Sequence, residues 1–271
     1  MELLEFARKI FAREKIEYVS LLGLSDCRIT RAYLLERAGI GTEKGTVIML
    51  AVPYYVSDGC ERNISLYAAA RDYHSYFSDL FERILPQFRE AFPGCKFAGF
   101  ADHSPIDELR AAAMSGLGII GKNHLLITEK YSSFVFLGEI VCDIETDSHG
   151  GEIKRCEGCG LCERECPAKL ESSLCLSAVT QKKGELSDIE KDFMLSGGSA
   201  WGCDICQTVC PHSRHISESE IEFFREKRIP FLTSEIIENM GDEDFAERAY
   251  SWRGRDVILR NLRIFENKEQ K

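Results

Sequence analysis

Apolar residues recur with two different periods along this chain, and the changes of period mark its elements. Leu3, Leu4, Ala7, Ile10 and Phe11 fall on one helical face, which predicts a helix near residues 1 to 14. "IEYVSLL" follows with strand character, and a second helix is expected over roughly 30 to 38, ending at Gly39. "TVIMLAVPYY" (46 to 55) is a continuous apolar run of the kind that forms a strand buried on both faces. A long helix is expected from about 63 to 91, interrupted near Pro86, and "KFAGF" (96 to 100) returns as a strand. After "ADHSPIDELRAAAMS" comes "GLGIIGKN", in which Gly116, Gly118 and Gly121 allow either a tight turn or a backbone that cradles a ligand. "HLLIT" and "SSFVFLGEIVCD" then read as two antiparallel strands joined by a polar turn around Lys130. From 216 onward the pattern is charged and helical. Strands alternating with helices over residues 1 to 150 imply an α/β or α+β sheet domain.

One stretch obeys neither period. "CEGCGLCERECP" sets Cys156, Cys159, Cys162 and Cys166 in the spacing C-x2-C-x2-C-x3-C-P. That spacing is the one bacterial iron-sulfur proteins use, and in two-cluster ferredoxins the fourth cysteine ligates the other cluster. "GCDICQTVCPH" repeats the x2 and x3 intervals with Cys203, Cys206 and Cys210 and again ends in proline. Two cubane clusters need eight thiolates, and Cys175 in "SSLCLSA" is the simplest eighth. By the crossing rule, Cys156, Cys159 and Cys162 take Cys210, while Cys203 and Cys206 take Cys166 and Cys175. Two structural zinc sites are the alternative, since paired C-x2-C elements also bind zinc. A tight triplet with a displaced fourth cysteine favours iron-sulfur clusters. Cys27, Cys60, Cys95 and Cys142 are scattered singly and are expected to be buried free thiols.

Composition narrows the setting. The 271 residues are 44% hydrophobic, enough for a substantial core without staples. The opening "MELLEFARKIFAREKI" is amphipathic and charged throughout, unlike a secretory leader, and no apolar run is long enough to span a membrane. Twelve cysteines in such a chain fit a reducing, cytoplasmic compartment and metal binding better than disulfides. A formal charge of -10 argues against a broad basic footprint for nucleic acid, and the nearest basic cluster is Arg253, Arg255, Arg260 and Arg263.

Several motifs stand in order: "ARDYH" (70 to 74), "ADHSP" (101 to 105), "GLGIIGKN" (116 to 123), "FLGEI" (136 to 140) and "WGCDICQTVCP" closing the cysteine tract. Over roughly residues 46 to 215 this resembles the epoxyqueuosine reductase family. The resemblance implies an α+β, nitroreductase-like domain at 1–150 that holds a corrinoid, cobalamin. It further implies a ferredoxin-like module at 151–215 with two 4Fe-4S clusters, followed here by a charged helical segment at 216–271. The implied reaction reduces epoxyqueuosine in tRNA to queuosine, with electrons from a reduced ferredoxin or flavodoxin-type donor.

Asp102 matches the family's proton donor, a role that calls for burial to raise its pKa. The same aspartate could instead cap a helix beginning near Pro105, although Ser104 is better placed for that. Lys122 and Asn123 are candidate corrin contacts, and Asp204 is expected at the seam of module and corrin. Asp72 and His74 sit two apart on a helix, too far round to form a metal pair, and are expected to line the substrate side. The sequence departs from the family at His103, at His212 and in a shortened segment between Cys166 and Cys175. It also stops at the threshold of the family's helical-repeat domain, around "RGRDVILRN". A small-molecule corrinoid reductase and an electron-transfer protein without corrinoid are therefore the rival readings.

Overall fold

Every neighbouring strand pair in the principal sheet of the computed structural model is antiparallel, which makes the fold α+β and removes the α/β alternative. Residues 2–171 and 174–269 are described. Met1, in the first expected helix, and Gln270 and Lys271, in the last segment, lie outside the described residues, as do Ser172 and Ser173. The chain divides into two compact units, one of residues 1–53 and 74–158, the other of residues 54–73 and 159–271.

The first unit opens with α1 (Leu3–Arg13), β1 (Tyr18–Gly23), α2 (Ala32–Ala38) and β2 (Thr46–Pro53). After α3 (Leu66–Ala69), which belongs to the second unit, it resumes with α4 (Tyr73–Ala91), β3 (Phe97–Phe100) and α5 (Glu108–Met114). The short strands β4 (Ile119–Ile120) and β5 (Leu126–Ile127) and the long β6 (Val135–Cys142) complete it. The sheet order is β1-β2-β6-β3, and all of β2 is buried, as its unbroken apolar run requires. Side chains alternate faces along β6. On one face Val135, Leu137 and Val141 meet Val47, Met49 and Ala51 of β2 and Ala111, Ala112 and Ala113 of α5. On the other lies α4: a Cβ at Gly138 would overlap the Phe77 ring, and one at Gly99 would overlap Phe81. Those two glycines let α4 lie close on the sheet and so fix where its N-terminal residues stand.

The described helices and strands correct three of the expectations. The helix expected over 63 to 91 breaks at Ala70–Asp72 and not at Pro86, which sits inside α4. Arg71 bridges to Arg248 and the Asp72 amide donates to Glu247 O at 2.8 Å, so backbone bonds to a distant segment replace helical ones. "HLLIT" pairs with Ile119–Ile120 and not across Lys130; the turn there closes only with the Thr128–Ser132 bridge, and β6 leaves to join β2 and β3. The helix after Pro105 starts at Glu108 and is capped by Asp107, whose carboxylate accepts from Arg110 N at 3.2 Å.

The described helices of the second unit, after α3, are α6 (Leu161–Glu165), α7 (Leu176–Thr180), α8 (Asp188–Gly197), α9 (Ile205–Thr208), α10 (Glu222–Arg225), α11 (Ser234–Asn239), α12 (Asp242–Ala246) and α13 (Arg255–Glu269). Its core gathers Trp201 and Tyr250 with Ile237, Ile258 and Leu262. The buried Asn261 amide of α13 donates to Thr180 O and Ala200 O, both at 2.7 Å, satisfying two carbonyls within the cysteine tract. A paired, buried Arg228–Asp58 contact at 2.5 and 2.6 Å ties residues 54–73 to the C-terminal segment. Among the described residues no helix is long and apolar enough to cross a membrane.

Candidate functional site

At the end of β3 the chain makes a turn that ordinary residues avoid. Asp102 has φ +63, and His103 N donates to Ala101 O at 2.7 Å across it. An i to i+2 bond around a residue of positive φ is the rarer and more strained form of γ-turn. Its neighbours brace it. Ser104 O accepts from Arg31 Nη1 at 3.0 Å, Pro105 O accepts from Thr30 N at 2.8 Å, and Tyr33 Oη meets His103 Nε2 at 2.8 Å. The Asp102 amide donates to Glu108 Oε1 at 3.2 Å. With Asp107 serving as the cap of α5, neither Asp102 nor Ser104 is left with that duty; Ser104 Oγ instead accepts from Ile106 N at 3.1 Å and donates to Glu139.

The Asp102 carboxylate is two-thirds exposed and meets His74 Nε2 at 3.3 Å. This is the contact that the docking of α4 on Gly99 and Gly138 makes possible. The hydrogen bond from His74, followed by the charges of His74, Arg31 and His103, holds the Asp102 carboxyl below its usual value against a smaller effect of burial. The expected rise in its pKa is therefore reversed in the chain itself. For a carboxylate this exposed, the hydrogen bond from His74 and the neighbouring basic groups outweigh the opposing effect of burial.

None of the eight tract cysteines is in a disulfide; Cys159 is exposed and the other seven are half-buried. Each of α6 and α9 precedes a Cys-Pro step, and the two helices pack together within the second unit. Burial first, then the charges of Asp204, Cys175 and Cys166, push the Cys203 thiol up to about 11. Cys203 thus lies within electrostatic reach of both cysteines with which the spacing grouped it. Gly158 and Gly160 take φ +70 and +75, which lets the loop between the first three cysteines curl. Among the described residues no three ligating side chains converge closely enough for a single ion. A cubane spreads its four thiolates over separate irons and does not need that convergence.

The corrin candidates fare unequally. Lys122 and Asn123 stand at the tip of the β4–β5 hairpin, where Gly121 N donates to Leu125 O at 2.9 Å, and the Lys122 amide points at Cys156 Sγ at 3.3 Å. Asp204 is almost wholly buried, and its carboxylate is engaged by its own chain. It accepts from Ser65 Oγ at 2.5 Å and Leu66 N at 2.8 Å, and Arg62 stands at 3.5 Å. Burial raises its pKa against the lowering effects of Ser65, Arg62 and the Leu66 amide. Of the scattered cysteines only Cys142 is buried; Cys27 and Cys95 are half-buried and Cys60 is exposed, which corrects the expectation for three of them.

Sequence reasoning set Asp72 and His74 on one helix, two apart and on different faces; Asp72 instead precedes α4, with its amide bonded to Glu247 O, and His74 goes to Asp102. It passed over Glu108 and Glu139. The available signal was Glu139 in "FLGEIVC", a carboxylate on the apolar alternate positions of a strand.

No protein-family model matches the chain. Curated relatives do. An epoxyqueuosine reductase of Gloeobacter violaceus is 32% identical over 219 residues, which cover 74% of this chain and 68% of that protein. One from Listeria monocytogenes is 31% identical over 209 residues, covering 71% of this chain and 54% of the relative, so the chain spans about half of that protein's length. The structure of epoxyqueuosine reductase from Streptococcus thermophilus superposes with a TM-score of 0.78 at 21% identity, covering 100% of this chain and 82% of that one. A crystal structure of epoxyqueuosine reductase with an epoxyqueuosine-modified stem loop of tyrosine tRNA gives 0.75 at 21% identity, covering 97% and 81%. At such identities the structural likeness is one of fold. The sequence identity, sustained over two-thirds of the Gloeobacter protein, carries more: this chain belongs to the epoxyqueuosine reductase family.

Proposed function

We propose that the chain is an oxidoreductase that removes the epoxide oxygen of epoxyqueuosine in tRNA, giving queuosine and water. The observation that carries this reading is the Asp102 turn, with His74 bonded to its carboxylate, in a chain of this family. Departure of the epoxide oxygen as water needs protons delivered at that oxygen. Asp102 is the donor, and its side chain is exposed and fixed in direction by the turn. His74, bonded to the same carboxylate, can hand a proton to Asp102 and orient its free oxygen. A substrate or cofactor that excludes water from Asp102 would lift its pKa toward the range of a useful acid.

The tract fits two 4Fe-4S clusters. None of its cysteines is in a disulfide, and burial with the charges of Asp204, Cys175 and Cys166 opposes ionisation of the Cys203 thiol in the metal-free chain, a penalty that iron relieves. Cys156, Cys159, Cys162 and Cys210 would hold one cluster, and Cys203, Cys206, Cys166 and Cys175 the other. Lys122 and Asn123 would meet the side chains of cobalamin. Asp204 fits a supporting part better than a direct contact, since Ser65, Leu66 and Arg62 already engage it. When bound, clusters and corrinoid supply the electrons, which a reduced ferredoxin or flavodoxin-type donor provides. In this scheme residues 1–150 hold corrinoid and substrate, 151–215 carry the clusters, and 216–271 buttress them.

A small-molecule substrate is the second reading, and one observation favours it. Arg255, Arg260 and Arg263, the tail residues expected to meet phosphates, bond within the second unit: to Ile237 O and Met240 O, to Lys182 O, and to Glu238. Anaerobic reconstitution with iron, sulfide and cobalamin, followed by turnover of an epoxyqueuosine-modified stem loop, separates the two. Reduction of the stem loop is the expected result. Reduction of the free epoxide nucleoside alone would establish the small-molecule reading, and failure to retain cobalamin would leave an electron-transfer protein.

A further inference from the structure

Beneath the Asp102 turn lie two carboxyl groups that the chemistry above leaves idle. Glu139 is fully buried on the β6 face that also carries Leu137 and Val141. Its Oε1 accepts from Ser104 Oγ; its Oε2 is buried with no N–H or O–H partner among the described residues. Glu108, at the start of α5, lies within hydrogen-bonding reach of the Glu139 carboxyl and also accepts from the Asp102 amide at 3.2 Å. Two carboxylates cannot both keep their charge in such surroundings, because each is desolvated and each repels the other. One proton relieves both. Carried by Glu139 and donated to Glu108, it gives the lone Glu139 oxygen a partner and leaves Glu108 charged to hold the Asp102 amide.

We propose that Glu108 and Glu139 form a carboxyl pair that shares one proton and positions Asp102, keeping the strained turn closed while the proton is present and releasing it when the proton leaves. The mechanistic value of this rests on the reading of Asp102 as the acid. Burial is the first cause that raises both groups, Glu108 to about 7 and Glu139 well above its ordinary value; Glu108 raises Glu139 further, whereas the hydrogen bond from Glu139 lowers Glu108. The other charged groups that act on the pair are Asp102, which raises Glu108, and Arg31, which lowers it; Cys27, its thiol kept protonated by burial, faces Glu139. His74 and His103 act on Asp102. The core residues of β2, β3 and α5 packed on this face are apolar. The closed turn thus holds a proton that exposed carboxyls would release at neutral pH. Glu108, raised only to about 7, loses its own proton first; the shared proton on Glu139 leaves as pH rises further, so closure is favoured below that second step and is lost through it.

Amide hydrogen exchange of the reconstituted protein tests this without turnover. After correction for intrinsic rates, protection of the peptide covering residues 101–104 should fall by up to about tenfold per pH unit above neutrality, the slope for one proton. In Glu139→Gln the side-chain amide donates to Glu108 at every pH, so protection should stay high and flat. Glu108→Ala should lose it throughout. A flat wild-type profile, or a Glu139→Gln profile that keeps the wild-type slope, overturns the proposal. Should Glu139→Gln fail to fold, infrared spectroscopy of the wild type decides: a buried protonated carboxyl band that persists above pH 7 and is lost only as the pH is raised further is expected, and its absence at neutral pH overturns the pair. If exchange behaves as proposed while Asp102→Asn keeps full turnover, the pair stands and the acid assignment falls.

Discussion

Asp102 occupies a backbone conformation that few residues tolerate, and asparagine is among those few. Asp102→Asn should therefore keep the turn, the contact with His74 and the binding of any cofactor. Turnover should fall by about 100- to 10,000-fold, the usual worth of a positioned acid. Wild-type rates, with chemistry shown to be limiting, would take Asp102 off the mechanism. His74→Ala, which removes the donor, tests the partner. Because the His74 hydrogen bond leads the causes of the depressed Asp102 carboxyl, its loss should move that pKa back up. A depressed carboxyl stabilises the fold above its ordinary value and withdraws that support as pH falls through the folded value, so the acid-side contribution should shrink in the variant. Carbon NMR titration of the aspartates reads it, and an unmoved Asp102 would place the effect in Arg31 and His103. Asp102 was legible in "ADHSP" because its motif is local. Its partner was not, since His74 lies 28 positions away and only the packing of α4 brings the two together.

Placement of α4 depends on two missing side chains. Gly138→Ala sets a methyl group into the Phe77 ring, and overpacking of this kind typically costs about 1–3 kcal/mol. Denaturant unfolding should show that loss, with the contact between Asp102 and His74 disturbed as α4 shifts; an unchanged midpoint would mean that the ring moves aside freely. In the cysteine tract, Cys175→Ala should abolish one cluster and spare most of the other, so iron should fall toward four per chain from eight. Retention of all the iron would send the search for the eighth ligand to Cys27, Cys60, Cys95 or Cys142. The strands and the tract were legible because each is written in local spacing: an unbroken apolar run for β2, the x2 and x3 intervals for the cysteines. The helix break at Ala70–Asp72 and the partner of β5 were not, because both are set by hydrogen bonds to residues that no local pattern announces.

Charge and arginine usage across the whole chain bear on the substrate. The formal net charge is -10, and a chain so acidic attracts RNA only where cations are gathered and free. The tail looked like such a place from sequence. In the structure Arg255 closes on two carbonyls and Asp242, Arg260 on Lys182 O, Arg263 on Glu238, and Arg253 stacks on the Trp252 ring. Guanidiniums already bonded to their own chain release few counterions when a phosphate approaches. Binding of an epoxyqueuosine-modified stem loop should therefore depend weakly on salt, with log K falling against log salt by a slope of about 2 or less, as two or three phosphate contacts would give. Deleting α13 cannot test this, because Val257, Ile258 and Leu262 are core residues of the second unit. Arg253→Gln, at a half-buried position stacked on the exposed Trp252 ring, is the better variant. Its slope should drop by less than one unit from the wild type. A steep wild-type slope that survives Arg253→Gln would show that the phosphate contacts are made by residues elsewhere in the chain, and that the acidic balance of the whole conceals a basic surface.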